Sequence, residues 1–307
     1  MTDWLPSLVP SFMTPVIARF KDGWEFGRKH GRWVFMAGQP GIGKSRAINY
    51  YQGLNPPDID HGRVPVISSV EGGGLPGHVY FIKELNAFYD YQPEPLAASP
   101  ARLIENIVEF KTEQILIDDI HALSVARLKL VKTVTDAVEQ RARRKISVGL
   151  VGVTLDGFNI SSPLDLLNAE DFEQFQKRIH PRYRGKVVLG PNADELPGIL
   201  GGFENAALGA GVTFRVARKS PRIHQLLSGD GFQSLHGTVT MQNVVDLLEE
   251  VMLSSDAPAW FDITDETLTA AAGVIATKLP AATARTVVRR FSRFGAAPAP
   301  SPVLLRR

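Results

Sequence analysis

Apolar positions along the chain alternate between two periods. Trp33 to Ala37 is an unbroken apolar run of strand length, followed by glycines and a helix-compatible stretch at 44–53. Further runs cover Val64 to Val70, Ile115 to Ile117, Ile146 to Val153, and a last one at 186–189. Between these runs apolar residues recur at helical spacing. Val79, Phe81, Ile82, Leu85 and Phe88 form one such face, the segments 100–111 and 171–179 carry others, and Leu128, Val131, Val134 and Val138 line a long helix over 124–143. Strands alternating with helices predict an α/β fold: a parallel sheet sandwiched between two helical layers, with ligands at the carboxyl ends of the strands.

The flanks read differently. Residues 1–31 form a leader punctuated by Pro6, Pro10 and Pro15, with apolar groups around Phe20 and Trp24 at helical spacing. Those aromatics serve either as core or as cover for a bound base. Over 193–254 the helical period recurs in 193–207, 220–227 and 241–252 between glycine-rich breaks, which predicts a small helical lid behind a core of 32–192. Two more helices are expected within 255–294. The Pro/Ala-rich tail at 295–307 is expected to be disordered.

Two of these junctions carry chemistry. The first strand ends in Gly38-Gln39-Pro40-Gly41-Ile42-Gly43-Lys44-Ser45, then Arg46 opens the helix. A strand feeding G-x-x-x-x-G-K-[ST] and then a helix is a phosphate-binding P-loop. Glycines let backbone N–H groups converge on phosphates, the helix N-terminus adds positive potential, Lys44 neutralises charge, and the Ser45 hydroxyl can hold Mg²⁺. The third apolar run ends in Asp118-Asp119. Asp118 is expected to hold Mg²⁺ through water and Asp119 to polarise the attacking water, which makes the chain an ATPase.

Composition narrows the context. The 307 residues are 44% hydrophobic and 21% charged, with a net charge of +2 and no cysteine. Disulfides, thiolate catalysis and Cys-ligated zinc are excluded, and a nucleic-acid surface has to be a local patch. The densest basic run is Arg141-Ala142-Arg143-Arg144-Lys145, placed either to complement a helix dipole or to bind phosphates. No apolar run reaches bilayer length and residues 1–11 lack the pattern of a secretory signal, so a cytoplasmic protein with no membrane contact is expected.

The succession GQPGIGKS, RVPVISS, ILIDDIHAL, VGLVGVT and FQKRIHPRYR before VVLG resembles the TniB/TnsC-type AAA+ transposition regulators, relatives of MuB and IstB, over residues 30–230. The resemblance implies an AAA+ P-loop core with a helical lid, which assembles with ATP on DNA as a ring or helical filament. Such a protein contacts backbone phosphates without sequence preference, recruits and activates a transposase, and disassembles on hydrolysis. It implies that Thr154 senses the γ-phosphate and that Arg178, or as second choice Arg182, reaches a neighbouring subunit's nucleotide. Arg222 would be the lid arginine, with Lys83 and the Arg141–Lys145 run as DNA donors. The sequence departs from the family at Asp119, where Glu is usual; one methylene less withdraws the carboxylate by roughly 1.5 Å, so slower hydrolysis is expected. The same residues also suit a signalling or scaffold ATPase of the STAND kind without DNA contact, or a factor resembling DnaA or a helicase loader.

Overall fold

The first helix, α1 (Pro15–His30), starts where Thr14 accepts a hydrogen bond from the Ile17 amide and Pro15 fits the first turn. In this computed structural model the described residues are 12–69, 78–89, 98–154, 160–161, 169–209, 213–216, 227, 239–253, 260–263, 267, 269–271 and 274. The chain continues through β1 (Trp33–Gly38), α2 (Lys44–Gly53), β2 (Val66–Ser69), α3 (His78–Asn86), α4 (Pro100–Glu109), β3 (Gln114–Ile117) and α5 (Val125–Ala142). Then come β4 (Ser147–Thr154), β5 (Ile160–Ser161), α6 (Ala169–Arg178), β6 (Ile179–Val187), α7 (Leu196–Gly209), β7 (Thr213–Val216), α8 (Met241–Leu253) and β8 (Trp260–Ile263).

Five parallel strands run in the order β2-β3-β4-β1-β6, with the short β5 antiparallel to the end of β4. Alternate residues of β1 enter opposite cores, as the period of two requires. Val34 and Met36 join α1, α2, α7 and α8 on one face, whereas Trp33 and Phe35 join α3, α4, α5 and Phe175 of α6 on the other. Both faces are covered, which is why the central strands read as continuous apolar runs. Among the described residues no helix is long and apolar enough to cross a membrane.

One open alternative is resolved and two expectations change. The stretch ahead of β1 is an integral layer: Phe20 and Trp24 are fully buried, and Trp24 lies so close to β4 that a Cβ on Gly149 would sit 2.8 Å from its ring. These aromatics are core, worth about 1.5–3 kcal/mol each in burial. The last strand begins at Ile179 instead of 186, because β6 is an edge strand whose register with β1 shifts around Trp33 and Phe35, and an edge tolerates Pro181. Finally, the region after 193 is not purely helical, since β7 pairs in parallel with β8. Of the expected helices, 220–227 apart from Leu227, most of 265–278 and all of 281–294 lie outside the described residues, as do Arg222 and the tail.

Candidate nucleotide-binding site

The strand order decides which side chains meet at the carboxyl edge. β4 lies between β3 and β1, so the ends of these strands bring Asp118, Thr154 and the P-loop side by side. Gly38 pairs with Val153, one residue before Thr154, and the Asp118 amide donates to the Ser69 carbonyl at the end of β2.

The loop itself requires glycine at two turns, Gly41 at φ +75° and Gly43 at φ +100°. Gly43 precedes α2 without any side-chain cap, which leaves the amides of the first turn facing the loop. Lys44 is buried and its Nζ folds back onto the Gly38 and Gln39 carbonyls at 3.4 and 3.2 Å. Burial lowers its pKa, against the opposing pull of the Asp118 and Asp119 charges.

Ser45 Oγ donates to Asp118 Oδ2 at 2.5 Å, and the Asp119 amide donates to Asp118 Oδ1 at 2.8 Å. Asp118 is fully buried, and desolvation raises its pKa even though both of those hydrogen bonds favour the carboxylate. Asp119 has a left-handed backbone, φ 47° and ψ 45°, at the start of the 3₁₀ turn Ile120–Ala122, and its side chain remains half exposed with His121 Nδ1 3.9 Å away. Thr154 is also fully buried, yet its Oγ1 finds no hydrogen-bond partner among the described residues. A buried hydroxyl without a partner costs about 1–3 kcal/mol, so its place beside the P-loop fits a ligand oxygen.

One wall of the loop comes from a distant segment. The Gln242 amide, in the first turn of α8, donates to the Gly41 carbonyl at 3.0 Å. A Cβ on Gly41 would meet Gln242 Cβ at 3.0 Å, and Met241 lies beside Gly43. Thr240 caps α8 by accepting from the Asn243 amide at 3.1 Å. Sequence reasoning missed these three residues; the only available signal was a Thr three positions before an Asn at a helix start.

The candidate arginines lie elsewhere. Arg178 closes α6 at the amino edge of the sheet, paired with Asp136 and stacked 5.8 Å over Trp33. Arg182 is exposed on the edge strand β6, over the Tyr183 ring at 5.6 Å. Of the proposed DNA donors, Arg141, Arg143 and Lys145 are exposed at the end of α5. Arg144 is not available in the same way, because it donates to the Thr112 carbonyl at 2.6 Å and the Ile107 carbonyl at 3.0 Å. Lys83 lies half-buried on α3 with its Nζ 5.8 Å over the Tyr80 ring, and α4 separates that helix from α5.

No family model matches the chain, and no curated protein matches it. Solved structures do. The Aeropyrum pernix ORC2 protein in its ADPNP-ADP complexes superposes with a TM-score of 0.56 at 13% identity, over 84% of this chain. Cdc6p from Pyrobaculum aerophilum gives 0.55 at 13% identity, again over 84%. The fold is that of the AAA+ ATPases. The chain spans 66% of the length of each of those two proteins. In the AAA+ fold the strand order seen here places the P-loop at the end of an inner strand, and the Ser45–Asp118 contact joins the ends of β1 and β3 across the intervening β4.

Proposed function

We propose that the chain is an ATP-hydrolysing, DNA-binding regulator of transposition, which assembles with ATP on target DNA as a ring or filament and recruits and activates a transposase, with hydrolysis driving disassembly. The observation that carries the ATPase reading is the meeting of Lys44, the Ser45–Asp118 pair and the Thr154 hydroxyl, which has no partner among the described residues, at one end of the sheet. The likeness to ORC2 in complex with ADPNP and ADP supports a nucleotide there. The transposition reading rests on the order of motifs from GQPGIGKS through ILIDDIHAL to FQKRIHPRYR, and on the exposed basic side chains at the end of α5.

In this reading Gly38–Arg46 cradle ATP, and Ser45 with Asp118 hold Mg²⁺. Bound ATP-Mg²⁺ supplies the phosphoanhydride to be cleaved and neutralises part of its charge. Lys44 turns from the loop's own carbonyls to the phosphates. Thr154 donates its free hydroxyl to an oxygen at the γ-position. Asp119 orients the attacking water and accepts its proton. Arg182, exposed on the edge strand, is better placed than Arg178 to stabilise charge in a neighbouring subunit's site.

Sizing the full chain with a short DNA duplex, with and without ATP and beside a Lys44→Ala control, tests this. Rings or filaments that need both ATP and DNA, and vanish in the control, are expected. A monomer indifferent to DNA would replace the reading with that of a signalling or scaffold ATPase.

A further inference from the structure

A cavity of about 320 Å³ opens at the amino edge of the sheet, the end opposite the P-loop. Its walls come from the starts of β1 and β4, the middle of α5 and the end of α6, and they carry Arg32, Lys132, Lys145, Lys177 and Arg178 against Glu139. Two further acids compensate from outside the lining. Asp136 pairs with Arg178 and, at 3.5 Å, with Lys132, while Glu173 pairs with Lys177 at 2.7 Å. The cluster keeps a positive surplus, and the Arg32 guanidinium donates to the Lys177 carbonyl at 3.4 Å, tying β1 to α6 across the mouth. Apart from Arg178, the less well placed of the two arginine-finger candidates, no residue named for ATP hydrolysis lines this site.

We infer that this cavity seats a backbone phosphate of duplex DNA, an inference that rests on the DNA-binding reading above and says where the contact is made. Two features select the occupant. First, the floor offers no face for a base, since Trp33 is 2% exposed and Arg178 covers its ring. Second, positive charge continues outward along the chain from Lys145, which lines the cavity, to the exposed Arg143 and Arg141. A polyanion with evenly spaced charges matches cations that continue beyond a cavity; a single small anion needs only the cavity. Arg143 stands at the end of α5 in the left-handed region, φ 51°, a conformation that turns the chain there toward Lys145 and β4.

The test measures duplex binding by the full chain with ATP over a range of salt concentrations. It compares the native protein with the double variants Lys145→Ala/Lys177→Ala and Lys145→Arg/Lys177→Arg, with ATP binding and circular dichroism as checks on the fold. The alanine variant is expected to bind on the order of tenfold more weakly and to lose about 0.9 from the slope of log affinity against log salt, one phosphate contact's worth; the arginine variant is expected to restore both. Native binding that the alanine variant reproduces in affinity and slope would overturn the inference and leave the DNA-binding reading standing. A native protein that binds no duplex with ATP would overturn both.

Discussion

Asp118 is a carboxylate that folding places out of water before any cation arrives. Its pKa in the fold is raised, so the ligand-free protein is most stable where Asp118 is protonated, and it loses that stability as pH rises through the raised value. Asp118→Asn should therefore raise the melting temperature of the ligand-free protein at pH 7, by an amount that shrinks as pH falls to the ordinary carboxylate range near pH 4, while stabilisation by ATP-Mg²⁺ is lost. Melting curves at the two pH values, with and without nucleotide, check both halves. Thr154 gives the complementary case. Thr154→Val removes a buried hydroxyl that has no partner among the described residues and should leave melting unchanged or raise it by up to a few degrees, while ATP turnover falls about tenfold or more. A destabilised but fully active Thr154→Val protein would refute that role. The Asp at 119 also acquires a reason. A left-handed backbone is tolerated better by Asp than by Glu, because the short side chain can bond locally, so the turn after β3 favours the shorter acid at the expense of reach.

At the scale of elements, the end of α5 separates two uses of arginine. Arg144 is a bolt to the carbonyls of Thr112 and Ile107, whereas Lys145 next to it faces the cavity. Arg144→Ala is expected to cost about 1–3 kcal/mol of stability, read by chemical denaturation, and to leave the salt slope of DNA binding unchanged. The opposite pattern would return Arg144 to the DNA surface. Composition along a basic run could not distinguish the two, because the distinction depends on which residue the left-handed turn at Arg143 directs inward. The same limit governs the rest of the fold. The P-loop and the Asp-Asp junction were legible because each is local: a strand, a turn and their side chains lie within about ten residues. The start of β6 was hidden behind Pro181, which only an edge position makes tolerable. The β7–β8 pair was hidden because each strand has four residues and its partner lies more than forty residues away, so neither carries a pattern of its own.

The whole molecule has its P-loop at one edge of the sheet and Arg178 at the other, so neither arginine finger candidate on this chain needs to serve its own nucleotide. If Arg182 acts between subunits, Arg182→Ala and Asp119→Asn proteins should each be inactive alone. In an equal mixture about a quarter of the sites would combine an intact Asp119 with a neighbour's intact Arg182, as a head-to-tail ring requires, and ATP turnover should reappear in that proportion. Mixtures no more active than the separate proteins would remove Arg182 from the site.

The hydrogen bond from the Gln242 amide to the Gly41 carbonyl gives the chain a property that its order of motifs conceals. Every residue with a chemical role in the ATPase reading that lies within the described residues precedes position 190, which invites dissection into a catalytic fragment and a dispensable remainder. Physically the catalytic loop is finished by a turn of helix some two hundred residues downstream. A fragment ending before α8 would expose the Gly41 carbonyl and open the side of the loop now closed by Met241 and Gln242. The wall on that side of the loop thus comes from a segment synthesised some two hundred residues after the loop itself, and a growing chain that has not yet reached α8 lacks it.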